Sequence, residues 1–580
     1  MSHDPIIRIE NLTFSYPRMT RPVLEDIRLA IEPGEWVILT GANSSGKTTL
    51  GKCMNGLVPY STGGKFRGRV TVCGDNTLHK NVSELAVSAG FVFPNPEDQL
   101  ATPLVEDEIA FGLCNIGTPR DEIFRRIASV TNRLGIQDLR SKATFRLSTG
   151  QQQLIAIASS LVMQTPVLIL DDPLSHLNQS TSEKVIRTVR DLNAAGTSIV
   201  WISPDLSETF EFADRILLLD QGRIAFNGTP RQMIHELDLR SLPVIAPQFL
   251  ECSFALVETG LTAEIIQPSL EETIDKLRRV VGRKQQAPEI PPKADSRAAA
   301  EPMVRFTHVD FRYPNGVDAL DDINLEFYPG DFILLSGWNG SGKTTLAKHI
   351  NGLLRPTEGT VFLGGRDIKG VPTSELARKV GFLFQNPDHQ LHKATVREEL
   401  AFSLRNFRVP EDRITEKIER ISEQFNLKEL LDRSPQELSG SEKKKVTVAS
   451  VLIYDPAIVI FDEATANLDG KETKNIIRII EEYHNENRVI ISISHGIRMW
   501  AESTRLNRVI IMKAGRVADT GQPERILCDP EIMGYLNGKL LPVTQIARSL
   551  SDRGCSPLLF STAQLVEEIR KTENHRAAAQ

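Results

Sequence analysis

The sequence predicts an α/β chain made of two tandem copies of one parallel-sheet domain, and two observations carry that expectation. Apolar runs of strand length, "EWVILTG" (35–41), "VLILD" (167–171) and "TSIVWIS" (197–203), alternate with helical stretches. Runs of this kind, apolar on both faces, are the strands of a covered parallel sheet. The chain also repeats itself. "GANSSGKTTL" (41–50) matches "GWNGSGKTTL" (337–346) at an offset of 296, and "FVFPNPEDQL" (91–100) matches "FLFQNPDHQL" (382–391) at 291. The 291 register then holds for "LSTGQ" (147) and "LSGSE" (438), for Asp171 and Asp462, and for Ser203 and Ser494. A constant register over that length is a duplication.

The repeat sets the expected domain map. Residues 1–240 form the first domain and 241–283 its C-terminal extension. Residues 284–302, "KQQAPEIPPKADSRAAAEP", are rich in Pro and Ala and read as a linker. Residues 303–530 form the second domain and 531–580 its extension. Each extension reads as helix, short strand, helix.

Bulk composition narrows the function. A chain of 580 residues is too long for one core. Its 41% hydrophobic and 24% charged content is ordinary for a globular protein. A net charge of -6 lacks the basic signal of a nucleic-acid binder. The 6 cysteines show no CxxC spacing, which argues against a zinc site or a disulfide framework. No apolar run approaches the roughly 18 residues of a membrane helix, and the N-terminus lacks a secretory pattern. Any membrane role is expected to be peripheral.

Each copy carries G-x4-G-K-T after a strand and at a helix start: Gly41, Gly46, Lys47 and Thr48, then Gly337, Gly342, Lys343 and Thr344. Glycines let backbone N–H groups close on phosphates, and the helix N-terminus adds positive potential. The lysine reaches the β and γ phosphates of a nucleotide and the threonine hydroxyl helps hold Mg²⁺. Ser45 and Thr49, and in the second copy Asn339, Gly340, Ser341 and Thr345, belong to the same nucleotide-binding loops. Asp171 and Asp462 end apolar strands, where ligands collect in open α/β sheets, and are the expected Mg²⁺ carboxylates. The next residue, Asp172 or Glu463, is placed to position and polarise an attacking water.

"LSTGQQQ" and "LSGSEKK" each precede a helical stretch, which puts Ser148 and Ser439 at helix starts. A lone serine there would be an N-cap and nothing more. With the phosphate loop upstream and the strand Asp downstream, the chain resembles the ATPase subunit of ABC transporters over both halves. The resemblance implies two ATPase domains facing head to tail, each ATP lying between one phosphate loop and the other domain's signature. Ser148 with Gly150, and Ser439, would then meet nucleotide across the interface. Tyr16 and Tyr313 match the aromatic that stacks on adenine. Gln385 matches the glutamine that meets Mg²⁺ and senses the membrane subunit, Glu463 the general base, and His495 the switch histidine on the γ-phosphate.

The first copy departs from that pattern. The positions of Gln385, Glu463, Asp469 and His495 hold Pro94, Asp172, Asn178 and Pro204. A proline side chain has no donor or acceptor to replace the lost contact. The second copy's signature instead has Ser441 and Glu442 where the family has Gly and Gln. Assembled head to tail, Lys343, Thr344, Gln385, Asp462, Glu463 and His495 meet Ser148 and Gly150, a complete site. Lys47, Thr48, Asp171, Asp172, Pro94 and Pro204 meet Ser441 and Glu442, and apart from Asn178 the losses collect there. One competent and one degenerate site, both binding MgATP, are expected.

"NPEDQL" with "VEDEIAFGLCNIG" (105–117), and "NPDHQL" with "VREELAFSLRNF" (396–407), resemble the energy-coupling-factor and cobalt/nickel importer ATPases. That branch implies a transmembrane coupling subunit, a substrate-binding membrane subunit for a vitamin or metal ion, and a place at the cytoplasmic face of the cell membrane. Docking is expected near Phe91–Leu100 and Phe382–Leu391. Two alternatives are a fused ATPase of a monosaccharide importer and a soluble tandem ABC ATPase acting on ribosomes. The latter needs a charged helical arm between the halves and keeps both glutamates.

Overall fold

A computed structural model describes residues 4–19, 21–175, 177–261, 263–281, 301–338, 340–465, 468–494, 496–536 and 538–579. Asn339, His495 and positions 284–300 of the expected linker lie outside the described residues. The chain divides into two compact units, one of residues 1–276 with 469–471 and the other of 277–468 with 472–580.

The first unit is built on a six-stranded sheet in the spatial order Arg223–Gly228, Arg215–Asp220, Trp36–Gly41, Ser198–Ile202, Val167–Asp171, Ala89–Val92. All neighbours run parallel except the first pair. The sequence explains the placement. Trp36–Gly41 and Val167–Asp171 are buried at every residue, as strands covered on both faces must be. Both run parallel with Ser198–Ile202 between them, so the phosphate loop and the acidic pair emerge at the same end of the sheet, one strand apart. A smaller antiparallel sheet orders Leu24–Ile31, Ile7–Ser15, Lys65–Val72 and Asp75–Asn76. Helices Val105–Asn115, Arg120–Leu134 and Thr149–Leu161 form the helical portion. Arg120–Leu134 buries Ile123, Ile127, Val130 and Leu134, one stripe at helical spacing.

The second unit repeats the plan. Its large sheet orders Val380–Leu383, Ile458–Asp462, Val489–Ile493, Phe332–Gly337, Arg508–Lys513 and Arg516–Gly521. Again only the outer pair carrying Arg516–Gly521 is antiparallel. Helices Val396–Asn406, Glu411–Gln424 and Gly440–Leu452 are the counterparts of the first unit's three.

The C-terminal extensions differ from expectation in one respect: no strand lies between their helices among the described residues. Helices Gln248–Glu258 and Leu270–Val280 are joined by the 3₁₀ turn Ala263–Ile265. In the second extension, Pro542–Ser549 and Thr562–Ala579 are joined by the 3₁₀ turn Ser551–Arg553 and irregular chain. Side chains take over the hydrogen bonds a ladder would have made. Thr544 donates its hydroxyl to the Leu559 carbonyl (2.8 Å), and Gln564 Oε1 accepts from the Phe560 amide (3.0 Å). Pro557, which has no N–H, disfavours a strand there as well.

Candidate active site

The phosphate loops fold the same way in both units. Gly41 has φ +141°, and a Cβ there would lie 2.1 Å from the Leu219 carbonyl oxygen; for Gly337 the values are +148° and 2.2 Å, to Met512. Only glycine fits so close to a neighbouring strand in that backbone region. Each loop then wraps its own lysine. Lys47 Nζ donates to the carbonyls of Gly41 (2.9 Å) and Ala42 (2.6 Å), and Lys343 Nζ to those of Gly337 (2.9 Å) and Trp338 (2.8 Å). Burial pushes the Lys343 ammonium down to about 8, opposed by the charges of Glu463 and Asp462, and lowers Lys47 as well. Ser45 and Ser341 bury hydroxyl oxygens with no partner. These are donors already desolvated for an anion.

Tyr16 and Tyr313 stand half-buried beside the phosphate-loop helices. Their hydroxyls lie 3.1 Å and 3.0 Å from those of Thr49 and Thr345. Each ring meets a phenylalanine edge-on, Phe14 or Phe311. The two tyrosines singled out from the sequence thus make matched contacts with the phosphate-loop helices.

The acidic pairs follow directly. Thr344 donates its hydroxyl to Asp462 Oδ2 at 2.9 Å. Burial pushes Asp171 up to about 6, opposed by the Thr48 hydroxyl and by Lys47 and Lys52; Asp462 is raised for the same first reason. Asp171 Oδ2 is buried without a hydrogen-bond partner. A hydroxyl paired with a buried carboxylate, both hard oxygen donors, suits Mg²⁺, so the donor set fits that ion.

The chain turns abruptly after each strand. Asp172 and Glu463 have φ of +46° and +55°, left-handed values that cost a non-glycine residue energy. Amide bonds hold the turns to the next strand, Asp172 to the Ile202 carbonyl (2.8 Å) and Glu463 to that of Ile493 (3.0 Å). Asp172 Oδ1 accepts from the Ser203 hydroxyl at 3.2 Å. Burial pushes its carboxyl up to about 7, helped by the negative charges of Asp171 and Asp205. The loop beyond is bound into its own extension: the Ile245 amide donates to the Pro204 carbonyl (2.8 Å) and the Leu206 amide to that of Ile245 (2.9 Å).

Ser148 and Ser439 are N-caps of the helices Thr149–Leu161 and Gly440–Leu452, each closed by a capping box. The boxes differ in what they do to the serine hydroxyl. Gln151 Oε1 accepts from the Ser148 amide at 3.1 Å. Glu442 Oε2 accepts from the Ser439 amide (2.8 Å) and from its hydroxyl as well (2.8 Å). The substitution of Glu for Gln therefore adds a negative charge and uses the hydroxyl proton locally.

Three residue types were overlooked in the sequence. Gln99 and Gln390 accept from the Phe93 (3.0 Å) and Phe384 (3.3 Å) amides, pinning each "NP" loop. Glu108 and Glu399 are buried and each takes two loop amides, of Ala101 and Thr102 or of His392 and Lys393, at 2.7–2.9 Å. Lys444, also buried, donates to the carbonyl of exposed Gln385 at 3.1 Å. The signal was present for the first two, since both recur at the 291 offset.

The family model described as ABC transporter matches residues 24–175 and 320–466, which take in both phosphate loops, both signatures and both acidic pairs. The chain belongs to the ABC transporter family. Relatives match it end to end. A protein of Methanosarcina acetivorans, designated an ABC transporter ATP-binding protein, is 34% identical over 97% of this chain and 93% of its own. One of Caldanaerobacter subterraneus, with the same designation, is 34% identical over 94% and 96%. The solved structure of cbiO1 from Clostridium perfringens, described as part of the ABC transporter complex cbiONQ, is 29% identical over 41% of this chain and 96% of that one, with a TM-score of 0.36. As an ABC ATPase the chain carries ATP hydrolysis with its family. Among the described residues no helix is long and apolar enough to cross a membrane.

Proposed function

We propose that this ABC ATPase is the energy-coupling subunit of an importer of the energy-coupling-factor type, for a vitamin or metal ion, with one competent and one degenerate ATP site. The observation that carries the asymmetry is the contrast between the two turns after the acidic strands. Asp462 and Asp171 are each met by the threonine of their own phosphate loop, and what differs is the next residue: Glu463 in the second unit, and in the first the shorter Asp172, which accepts from Ser203 and is pushed toward its protonated form. Thr344, Asp462 and Gln385 would hold Mg²⁺, as Thr48 and Asp171 would in the first unit. The bound ion supplies charge neutralisation and polarisation of the phosphates. Lys343 exchanges its loop carbonyls for phosphate oxygens, and Glu463 orients the attacking water and receives its proton. His495 is assigned the γ-phosphate contact by family position.

Head-to-tail pairing would bring Ser148 and Gly150 to the competent site and Ser439 with Glu442 to the other. A carboxylate there repels a triphosphate. The partners proposed are a transmembrane coupling subunit and a substrate-binding membrane subunit. The tips of the "NP" loops support docking better than their ends. Asn95, Glu97 and Asp98, and Gln385, Asn386 and Asp388, are exposed, while Phe91, Phe382 and Leu391 are buried. Phe111 and Phe402 are exposed at the same register on the corresponding helices of the two units, apolar positions that suit a partner. Co-expression with the membrane proteins encoded beside it, extraction in mild detergent and assay of phosphate release test this reading. Co-purification with stimulated turnover is expected. Recovery chiefly with ribosomes, in the presence of those membrane proteins, would overturn it.

A further inference from the structure

The second unit buries two lysines near one acidic pair, and only one of them belongs to the phosphate loop. Lys444 lies on the signature helix Gly440–Leu452, 3% exposed, with Nζ on the Gln385 carbonyl at 3.1 Å. Burial pushes this ammonium down to about 8, and the negative charges of Glu463 and Asp462 act against that. The site thus sets two carboxylates against two ammonium groups, Lys343 and Lys444. The first unit does not. At the equivalent position it has Gln153, fully buried, whose amide donates to the Phe93 carbonyl at 3.3 Å and whose Oε1 has no partner. Its acidic pair has Lys47 as the corresponding buried cation. Both side chains tie the signature helix to the loop that follows an edge strand of the large sheet, Ala89–Val92 or Val380–Leu383. Only in the second unit is the tie charged, and that unit keeps the glutamate.

We propose that Lys444 is a positioning residue for hydrolysis. Its ammonium fixes the backbone of Gln385 and adds a second cation to the site of Asp462 and Glu463 when Lys343 is drawn to the phosphates. Buried Asp462 beside half-buried Glu463 is costly unless compensated, and the charge of Lys343 is shared with the nucleotide once it binds. Lys444 lies outside the phosphate loop, on the signature helix, and acts here through the Gln385 backbone. Its effect therefore falls on turnover and leaves ATP affinity little changed.

The inference rests on Glu463 being the base, so Glu463→Gln is assayed beside it. Two substitutions separate charge from tie: Lys444→Gln keeps an amide donor of the kind Gln153 uses, and Lys444→Arg keeps the cation. Steady-state phosphate release is measured on the full chain with its membrane partners, with thermal melting of each variant. Lys444→Gln is expected to lower kcat by about tenfold or more with KM for ATP within about twofold, as for a displaced catalytic group. Lys444→Arg should restore kcat to within about threefold of the parent. A Lys444→Gln variant that melts normally and turns over within about threefold of the parent, while Glu463→Gln is inactive, would overturn the proposal alone. So would equal losses in Lys444→Gln and Lys444→Arg. Retained turnover in Glu463→Gln would overturn the reading of the base and this inference with it.

Discussion

Asp172 and Glu463 differ by one methylene at matched positions after the acidic strands. Both occupy left-handed backbone, so strain is common to the two copies and does not explain the difference. Asp172 accepts the Ser203 hydroxyl and titrates near 7, so at neutral pH it is partly protonated and already engaged. Glu463→Gln should lower phosphate release by about 10² to 10⁴, the usual worth of acid–base assistance. Asp172→Asn should change it by less than about threefold. Equal losses would show that the aspartate also acts as a base. Asp172 makes a second, independent prediction. Its folded pKa, about 7, lies above its ordinary 3.8, so the folded protein binds the proton more tightly than the unfolded chain. Its contribution to stability is present below 3.8 and is lost as pH rises to about 7. Asp172→Asn should therefore raise the melting temperature of the nucleotide-free chain more at pH 8 than at pH 5, as differential scanning fluorimetry would read. A gain of equal size at both pH values would mean that the carboxyl is not held protonated.

At the level of elements, the loops around the site are held by side chains acting on backbone. Glu399 takes the amides of His392 and Lys393 and has 5% exposure. Glu399→Ala would strand two amides at a cost of about 1–3 kcal/mol each. The loss should appear as a lower melting temperature and faster amide exchange at His392 and Lys393. Unchanged exchange there would mean that the carboxylate does not hold the loop. The sequence was informative where chemistry constrains residue type. Gly41 and Gly337 stood out because no other residue fits against Leu219 or Met512, and Ser148 and Ser439 because caps and signatures share a pattern. The strands were legible because full burial forces an apolar run. What escaped were side chains whose meaning is purely positional. Nothing in a Gln, a Glu or a Lys announces a buried tie to a carbonyl or amide across the fold. The extension strands failed for a related reason: a short apolar segment reads as a strand, yet Thr544 and Gln564 satisfy its backbone without a ladder.

At the level of the whole molecule, the duplication makes one chain carry two signatures and two phosphate loops, and the proposed function depends on which signature serves which loop. The local geometry already ranks the signatures. Ser148 keeps its hydroxyl proton clear of its capping partner, while Ser439 gives its proton to Glu442. If each signature serves the other copy's nucleotide, Ser148 works with Glu463, although the two are far apart in sequence and lie in different units. Ser148→Ala should then reduce phosphate release strongly and Ser439→Ala only mildly. A double-mutant cycle makes the pairing testable. Residues acting in one site couple, whereas residues in separate sites add to within about 0.3–0.5 kcal/mol. Ser148→Ala combined with Glu463→Gln should therefore be little worse than Glu463→Gln alone, since a site without its base has little rate left to lose. Ser148→Ala combined with Asp172→Asn should show the full Ser148→Ala effect. The opposite pattern, with Ser439→Ala coupled to Glu463→Gln and Ser148→Ala independent of it, would place each signature with its own phosphate loop and end the head-to-tail reading.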